Sequence, residues 1–334
     1  MRLKLNKTVV ECIILAVLSG ILCILLFCVF DVFERTRPDK NAIEAAGDSA
    51  NDGRITVDGQ LYLHKKRLET ILVIGIDKYL DQTKSESYNN NQQADFLMLV
   101  CLDHSAKTYS ILNINRDTMA DIRILDVKGE TAGSFKGQLA LSHTYGTGAN
   151  ESCRNTVKAV SDLLYGVNID HYMSFTLDTI EKFNDLCGGV EVTLQEDFSS
   201  FDPKMTKGKT LTLKGEQAML FVRGRQGVGD SSNIARMERQ KQYVYGLRDN
   251  ILEKSETDEG FVLKTFSQVL GYTVSDYSLS QLNNLYVKTD GYTDSGYYTI
   301  EGETVKGEEF MEFYPDEEAL RKLTLELFYT PVNS

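Results

Sequence analysis

Four arginines crowd residues 221–240, FVRGRQGVGDSSNIARMERQ: Arg223, Arg225, Arg236 and Arg239. Planar guanidinium forks that converge on one point suit the oxygens of a phosphate or pyrophosphate. Leu220, Phe221 and Val222 read as the end of an apolar strand, which puts Arg223 and Arg225, at i and i+2, on one face. Ser231, Ser232 and Asn233 then offer the N-cap of a helix with an apolar stripe of Met237, Val244, Leu247 and Ile251. Arg236, Arg239 and Gln240 share a second face of that helix, whose N-terminus favours an anion in its own right. By spacing alone, surface ion pairs with some of the 48 acidic residues account for the cluster equally well.

Two carboxylates add to this chemistry. Asp77 ends the apolar run TILVIGID, and Asp95 stands just before FLMLVCLD. Taken singly, each reads as an ordinary hydrogen-bonded or solvated strand-end residue. Brought together, they form a hard-oxygen site suited to Mg²⁺ with several retained waters. Arg116 and Asp117 follow YSILNI and read either as a local ion pair or as one more phosphate fork and one more carboxylate. No serine stands in a GxSxG context and no Ser or Cys pairs with a His, which argues against covalent catalysis. Gly146 and Gly148 lack the full phosphate-loop pattern and read as a turn before a helix.

The chain has 334 residues, 42% of them hydrophobic, enough for a sizeable core. Its formal net charge of -12 argues against a nucleic-acid partner, which needs a basic face, and makes an arginine cluster more telling as a site. Cys12, Cys23 and Cys28 lie in an N-terminal apolar run; Cys101, Cys153 and Cys187 lie elsewhere, with no CxxC and only scattered histidines. Neither a disulfide framework nor a zinc site follows, and core packing is the expected role of the last three.

The elements that must position these side chains follow in order. Residues 1–11 carry Arg2, Lys4 and Lys7 and read as a cytoplasmic N-terminus; residues 12–30 hold no charge and are long enough to cross a bilayer. That run is longer than the apolar part of a usual signal peptide, and no small-x-small cleavage site follows, so it reads as a retained single-pass anchor. Residues 31–53 are a polar linker outside the membrane. Asp58-Gly59 marks a hairpin turn, and TILVIGID, ADFLMLVCLD and TYSILNI read as strands. ESCRNTVKAVSDLLYG is a helix, HYMSFTL a strand, DTIEKFNDLCGG a helix and VEVTL a strand. Residues 255–334 carry a helix around 261–270, polar β-like pieces and a last helix, DEEALRKLTLELF, and form part of the same domain as residues 54–254 or a small extension of it. Strands alternating with helices predict an α/β fold, an α–β–α sandwich.

An anchor followed by VIGID, ADFLML, INRDT, HYMSF, CGGVEV, LKGEQAMLFVRGR and IARMERQ resembles the LytR–CpsA–Psr family, over about residues 70–252. The resemblance implies a Mg²⁺-dependent phosphotransferase on the outer face of a Gram-positive plasma membrane. Such enzymes move a glycopolymer from a polyprenyl-pyrophosphate carrier to peptidoglycan. It assigns Asp77 and Asp95 to the metal, and Arg116, Arg223, Arg225, Arg236 and Gln240 to the pyrophosphate. Asp95, Asp117 and Arg116 would carry the catalysis, with Arg239 in support. A lipid-pyrophosphate hydrolase, or a non-catalytic lipid-binding regulator of the envelope, would use the same arginines. Retention of both Asp77 and Asp95 favours an enzyme.

Three positions depart from the family pattern: Gln93 where an arginine is common, Asn115 where a proline usually precedes the Arg-Asp pair, and Asn233 where an acidic residue is usual. With no arginine between Arg67 and Arg116, basic help from the intervening loop would fall to Lys78 or Lys84.

Overall fold

The computed structural model describes residues 54–78 and 92–332. The expected anchor at 12–30, the linker at 31–53 and Lys84 lie outside them. Among the described residues no helix is long and apolar enough to cross a membrane. The chain separates into Met1–Leu61 and Tyr62–Ser334, and the site described below lies wholly in the second unit. β1 (Arg54–Val57) and β2 (Gln60–His64) flank the expected turn. Asp58 and Gly59 have φ of 51° and 81°, the left-handed pair that a type I′ turn requires.

Three apolar runs make the centre of the second unit: β3 (Leu68–Ile76), β4 (Ala94–Asp103) and β5 (Thr108–Ile114). A separate hairpin, β6 (Met119–Leu125) with β7 (Thr131–Gln138), follows. Then come α1 (Leu141–Thr144), α2 (Ala149–Leu163), β8 (His171–Phe175), α3 (Leu177–Leu186), and the short pair β9 (Glu191–Thr193) and β10 (Thr210–Thr212). α4 (Glu216–Arg223), α5 (Asn233–Thr257), α6 (Phe261–Val269), β11 (Thr273–Ser275) and α7 (Leu279–Lys288) lead to β12 (Thr293–Thr299). The chain closes with β13 (Gly302–Lys306), β14 (Met311–Pro315), α8 (Glu317–Phe328) and β15 (Tyr329–Pro331), which pairs antiparallel with β2 from Tyr62 to His64.

The main sheet has six strands in the order β11-β8-β3-β4-β5-β12. β8 runs parallel to β3 and β12 parallel to β5; the other neighbours are antiparallel. Side chains alternate across it. Leu72, Ile74, Leu97, Leu99 and Leu112 face α2 (Cys153, Val160) and α8 (Leu320, Leu327), all of them buried. The opposite face is covered by α3, α5 and α6 around a cavity and, further along, by α7, whose Leu282 and Leu285 pack on Ile71, Leu102 and Tyr277. The result is the expected α–β–α sandwich. Cys101, Cys153 and Cys187 are buried and unbridged, and burial pushes their thiols up to about 12, 11 and 12.

Residues 220–222 do not end a strand; they belong to helix α4, and Arg223 is its last residue. Ala218, Met219, Phe221 and Val222 are the buried positions, spaced i, i+1, i+3 and i+4. A short apolar run is ambiguous by itself, and the flanking glycines decide it. Gly215 precedes the helix, and Gly224 ends it, where an added Cβ would sit 2.7 Å from the Leu220 carbonyl oxygen. Arg223 and Arg225 therefore reach the site from a helix end and the loop after it. The hairpin β6–β7 was not legible in polar sequence of weak period, whereas helix α7, begun by a Ser278/Gln281 capping box with Leu279, Leu282 and Leu285 three apart, lies where the sequence reading placed polar β-like pieces.

Candidate functional site

A β-bulge builds the acidic half of the site. Along the β3–β4 ladder Gly75 pairs with Phe96, but Ile76 pairs with Ala94, so Asp95 is the extra residue. Bulges re-aim side chains, and here Asp95 and Phe96 both line the same cavity while Ala94 and Leu97 stay in the opposite core. Gly75 is required opposite Phe96, since a Cβ there would lie 2.8 Å from the Phe96 Cβ. The Asp77 amide donates to the Gln93 carbonyl at 3.2 Å, which brings the two carboxylates to one end of the sheet.

The turn after β5 supplies Arg116 and Asp117. Asn115 shapes it: its side-chain oxygen accepts from the Asp117 amide at 2.9 Å, and its carbonyl accepts from the Thr118 hydroxyl at 2.6 Å. This Asx-type turn does by hydrogen bonding what a proline does by ring closure. Arg116 spans the site, donating from Nη1 to Asp95, from Nη2 to Gln93 Oε1 at 2.9 Å and from Nε to Asp117 Oδ1 at 3.2 Å.

α5 delivers Arg236 from its first turn, capped as expected by Ser232, whose hydroxyl accepts from the Ala235 amide. Arg236 is only 4% exposed, with Nη1 3.6 Å from Asp95 Oδ2 and Nη2 on Asn233 Oδ1. Its Nε has no hydrogen-bond partner among the described residues. Burial pulls the guanidinium down to about 10, against the pull of Asp95 in the other direction, and it stays charged at neutral pH. Burial pushes Asp95 up, opposed by Arg116 and Arg236 and assisted by Asp77. Arg223 donates from Nε to Asp77 Oδ1 at 2.6 Å, and Arg225 Nη1 stands 3.9 Å from Asp117 Oδ2.

Four of the five expected arginine and glutamine ligands, Arg116, Arg223, Arg225 and Arg236, are thus gathered around Asp77, Asp95 and Asp117. Gln240 lines the cavity one turn beyond Arg236, and its amide donates to the Val222 carbonyl at 3.1 Å. Arg239 turns away from this centre. It donates to the Phe221 carbonyl at 3.0 Å and to the Gly224 carbonyl, and pairs with Glu196. Together Arg239 and Gln240 cap the C-terminal carbonyls of α4, where positive charge and donors are favoured, and so fix where Arg223 and Arg225 leave the helix.

Behind the charged end runs an apolar cavity of about 250 Å³ between the sheet and α3, α5 and α6. Along one face of α5 its wall passes from Arg236 and Gln240 to Tyr243, Val244 and Leu247, with Phe183 of α3 and Phe266 of α6 opposite. An amphiphile with an anionic head and a hydrocarbon tail fits that sequence of surfaces. The residues that pattern reading did not foresee are Phe96, exposed to the cavity by the bulge, and Gln138, whose amide donates to Asp117 Oδ1 at 2.9 Å. A one-residue bulge and a lone glutamine in a polar strand leave no periodic signal.

A sequence model of the LytR_cpsA_psr family matches residues 29–327. The polyisoprenyl-teichoic acid–peptidoglycan teichoic acid transferase TagV of Bacillus subtilis (strain 168) is 28% identical over 223 residues, 64% of this chain and 52% of that protein. The transferase of the corresponding name, TagU, from Enterococcus faecalis is 26% identical over 193 residues, 58% of this chain and 57% of its own length. The chain thus spans about half the length of these curated relatives. The crystal structure of B. subtilis TagV superposes with a TM-score of 0.60 at 26% identity, covering 78% of this chain and 97% of that one.

Proposed function

The chain belongs to the LytR_cpsA_psr family, and from that premise we propose that it is a phosphotransferase that moves an anionic glycopolymer from a polyprenyl-pyrophosphate carrier to peptidoglycan. The observation that carries this reading is Arg236: a charged, nearly fully buried guanidinium with an unused Nε, placed with Arg223 at the head of a hydrocarbon-lined cavity and joined through Asp95 to Arg116. A buried cation with a spare donor calls for an anion. The cavity behind it calls for an apolar tail on that anion.

The diphosphate would lie among Arg116, Arg223, Arg225 and Arg236, with the isoprenoid along Tyr243, Val244 and Leu247. A saccharide hydroxyl attacks the phosphorus that carries the glycopolymer; a new O–P bond forms, the bridging P–O bond breaks, and polyprenyl phosphate leaves. The arginines are already in place for the charge that develops on the phosphoryl oxygens. Asp117, held by Arg116 and Gln138, takes the hydroxyl proton.

Asp77 and Asp95 fit Mg²⁺ by their chemistry. They are two hard carboxylates with no histidine or cysteine among the cavity residues beside them, and burial disfavours the ionised form of Asp95, a cost that a bound cation would offset. When bound, the ion would neutralise charge on the diphosphate. The basic residues Arg2, Lys4 and Lys7 ahead of the uncharged run at 12–30 support an anchored protein whose folded part lies outside the plasma membrane. Mass spectrometry of lipid extracted from the purified protein tests the substrate class. A polyprenyl phosphate or pyrophosphate is expected, and an extract holding only glycerophospholipids would contradict it.

A further inference from the structure

Arg116, Asp117 and Arg225 also line a second cavity, of about 260 Å³, that shares no wall residue with the apolar one. Its walls are of a different character. Arg116, Asp117, Gln138 and Arg225 form the inner side; Lys306, Glu309, Phe310 and Met311 form the outer side, from the turn and strand ends of hairpin β13–β14. Phe310 and Met311 are each 40% exposed.

This hairpin is bound to the reacting centre. The Phe313 amide donates to the Asp117 carbonyl at 2.9 Å, and Thr118 bridges to Phe313. The Gln138 amide donates at once to Asp117 Oδ1 at 2.9 Å and to the Met311 carbonyl at 2.8 Å. A ligand held against the hairpin is therefore held in register with Asp117 and Arg225. An anion alone would meet Glu309 and Asp117 there; a hydrocarbon would meet Lys306, Arg225 and Arg116. A ring with hydroxyls at its edge and C–H groups on its face satisfies both kinds of wall, with Phe310 and Met311 against the apolar face and the charged groups on the hydroxyls.

We propose that the cavity between hairpin β13–β14 and the Arg116–Asp117 pair is the acceptor subsite, which seats a saccharide of the glycan so that one hydroxyl faces Asp117. This rests on the donor reading above and extends it: Asp95 lines the apolar cavity, Asp117 lines the saccharide cavity, and Arg116 donates to both carboxylates. In the step described, the hydroxyl enters from the hairpin side and its proton passes to Asp117. The lipid phosphate departs on the apolar side, so donor and acceptor need not exchange places.

The test uses the full chain in detergent, a geranylgeranyl-pyrophosphate-linked disaccharide as donor and uncross-linked peptidoglycan glycan strands as acceptor. Lys306→Ala with Phe310→Ala changes only exposed side chains. The double variant is expected to bind the donor within twofold of wild type and to raise the KM for glycan strands about tenfold, with kcat changed less than threefold. An unchanged acceptor KM in a folded variant that binds donor overturns the acceptor subsite alone. Loss of donor affinity in the variant also overturns it, by placing the hairpin in the donor site. A wild-type chain that binds no donor overturns the underlying reading and this inference with it.

Discussion

Asn115 and Asn233 touch through a 2.6 Å hydrogen bond although 118 positions separate them, and each holds a charged residue of the site. Asn115 accepts from the Asp117 amide; Asn233 accepts from Arg236. Asn233→Ala removes one of the two donors to the Asn115 oxygen and leaves Arg236 Nη2 with only the Asp95 carbonyl at 3.5 Å, both in a buried place. It should cost about 1–3 kcal/mol of stability, checked by urea unfolding, and should weaken binding of geranylgeranyl pyrophosphate by a comparable factor. An Asn233→Ala protein with wild-type stability and affinity would show that the amide holds nothing. In the sequence, Gln93, Asn115 and Asn233 stand as three unrelated departures from a pattern. In space they hydrogen-bond Arg116, Asp117 and Arg236 respectively, and no spacing rule connects positions on different elements. Arg239 errs the other way: helical spacing groups it with Arg236, yet the short step to α4 carries its side chain to that helix's carbonyls instead.

At the scale of elements, α1 is a single turn whose service is to Gln92, the residue ahead of the bulge. His143 Nδ1 donates to the Gln92 carbonyl at 3.0 Å, and the Thr144 hydroxyl donates to it at 3.1 Å. Burial pushes His143 down to about 4, although that carbonyl pulls it up. The folded value lies below the usual 6.5, so the unfolded chain takes the proton first as pH falls. The contribution of His143 is complete above pH 6.5 and is lost as pH drops toward 4. Between pH 7 and 4.5 this amounts to about 2–3 kcal/mol. His143→Gln should flatten that part of the pH dependence in urea unfolding, and an unchanged slope would contradict the assignment. Long apolar strands and capped helices were readable because period and caps agree over many residues, as in β4 and α5. The hairpin β6–β7 was not, because TAGSFKGQ carries neither period. α4 was misread as strand because three apolar residues in a row fit either.

For the whole molecule, alternating strands and helices sufficed to place the chain among α–β–α sandwiches, but not to show where residues 255–334 go. They supply both edges of the main sheet, β11 and β12, and bring Ile300, Phe313, Leu320, Leu327 and Phe328 into the core beside Leu112 and Ile114. Non-adjacent strand pairing of this kind has no local signature. At ~2 kcal/mol for each buried side chain, these five contribute on the order of 10 kcal/mol, comparable to the whole stability of an ordinary domain. A chain ended at residue 257 should therefore lack a cooperative thermal transition in circular dichroism. A sharp melt near that of the full chain would show that the remainder folds alone.

The placement of one buried, charged arginine at the head of a hydrocarbon-lined cavity is the claim on which the functional account turns, and Arg236 tests it most directly. Titration calorimetry with geranylgeranyl pyrophosphate should show Arg236→Ala binding ten- to a hundred-fold more weakly than wild type, the loss of a buried charge-assisted hydrogen bond worth about 1.5–3 kcal/mol. Arg236→Lys should recover little of it, because an ammonium cannot reproduce the fork. Circular dichroism should confirm that both variants fold. A folded Arg236→Ala protein with wild-type affinity would contradict the account.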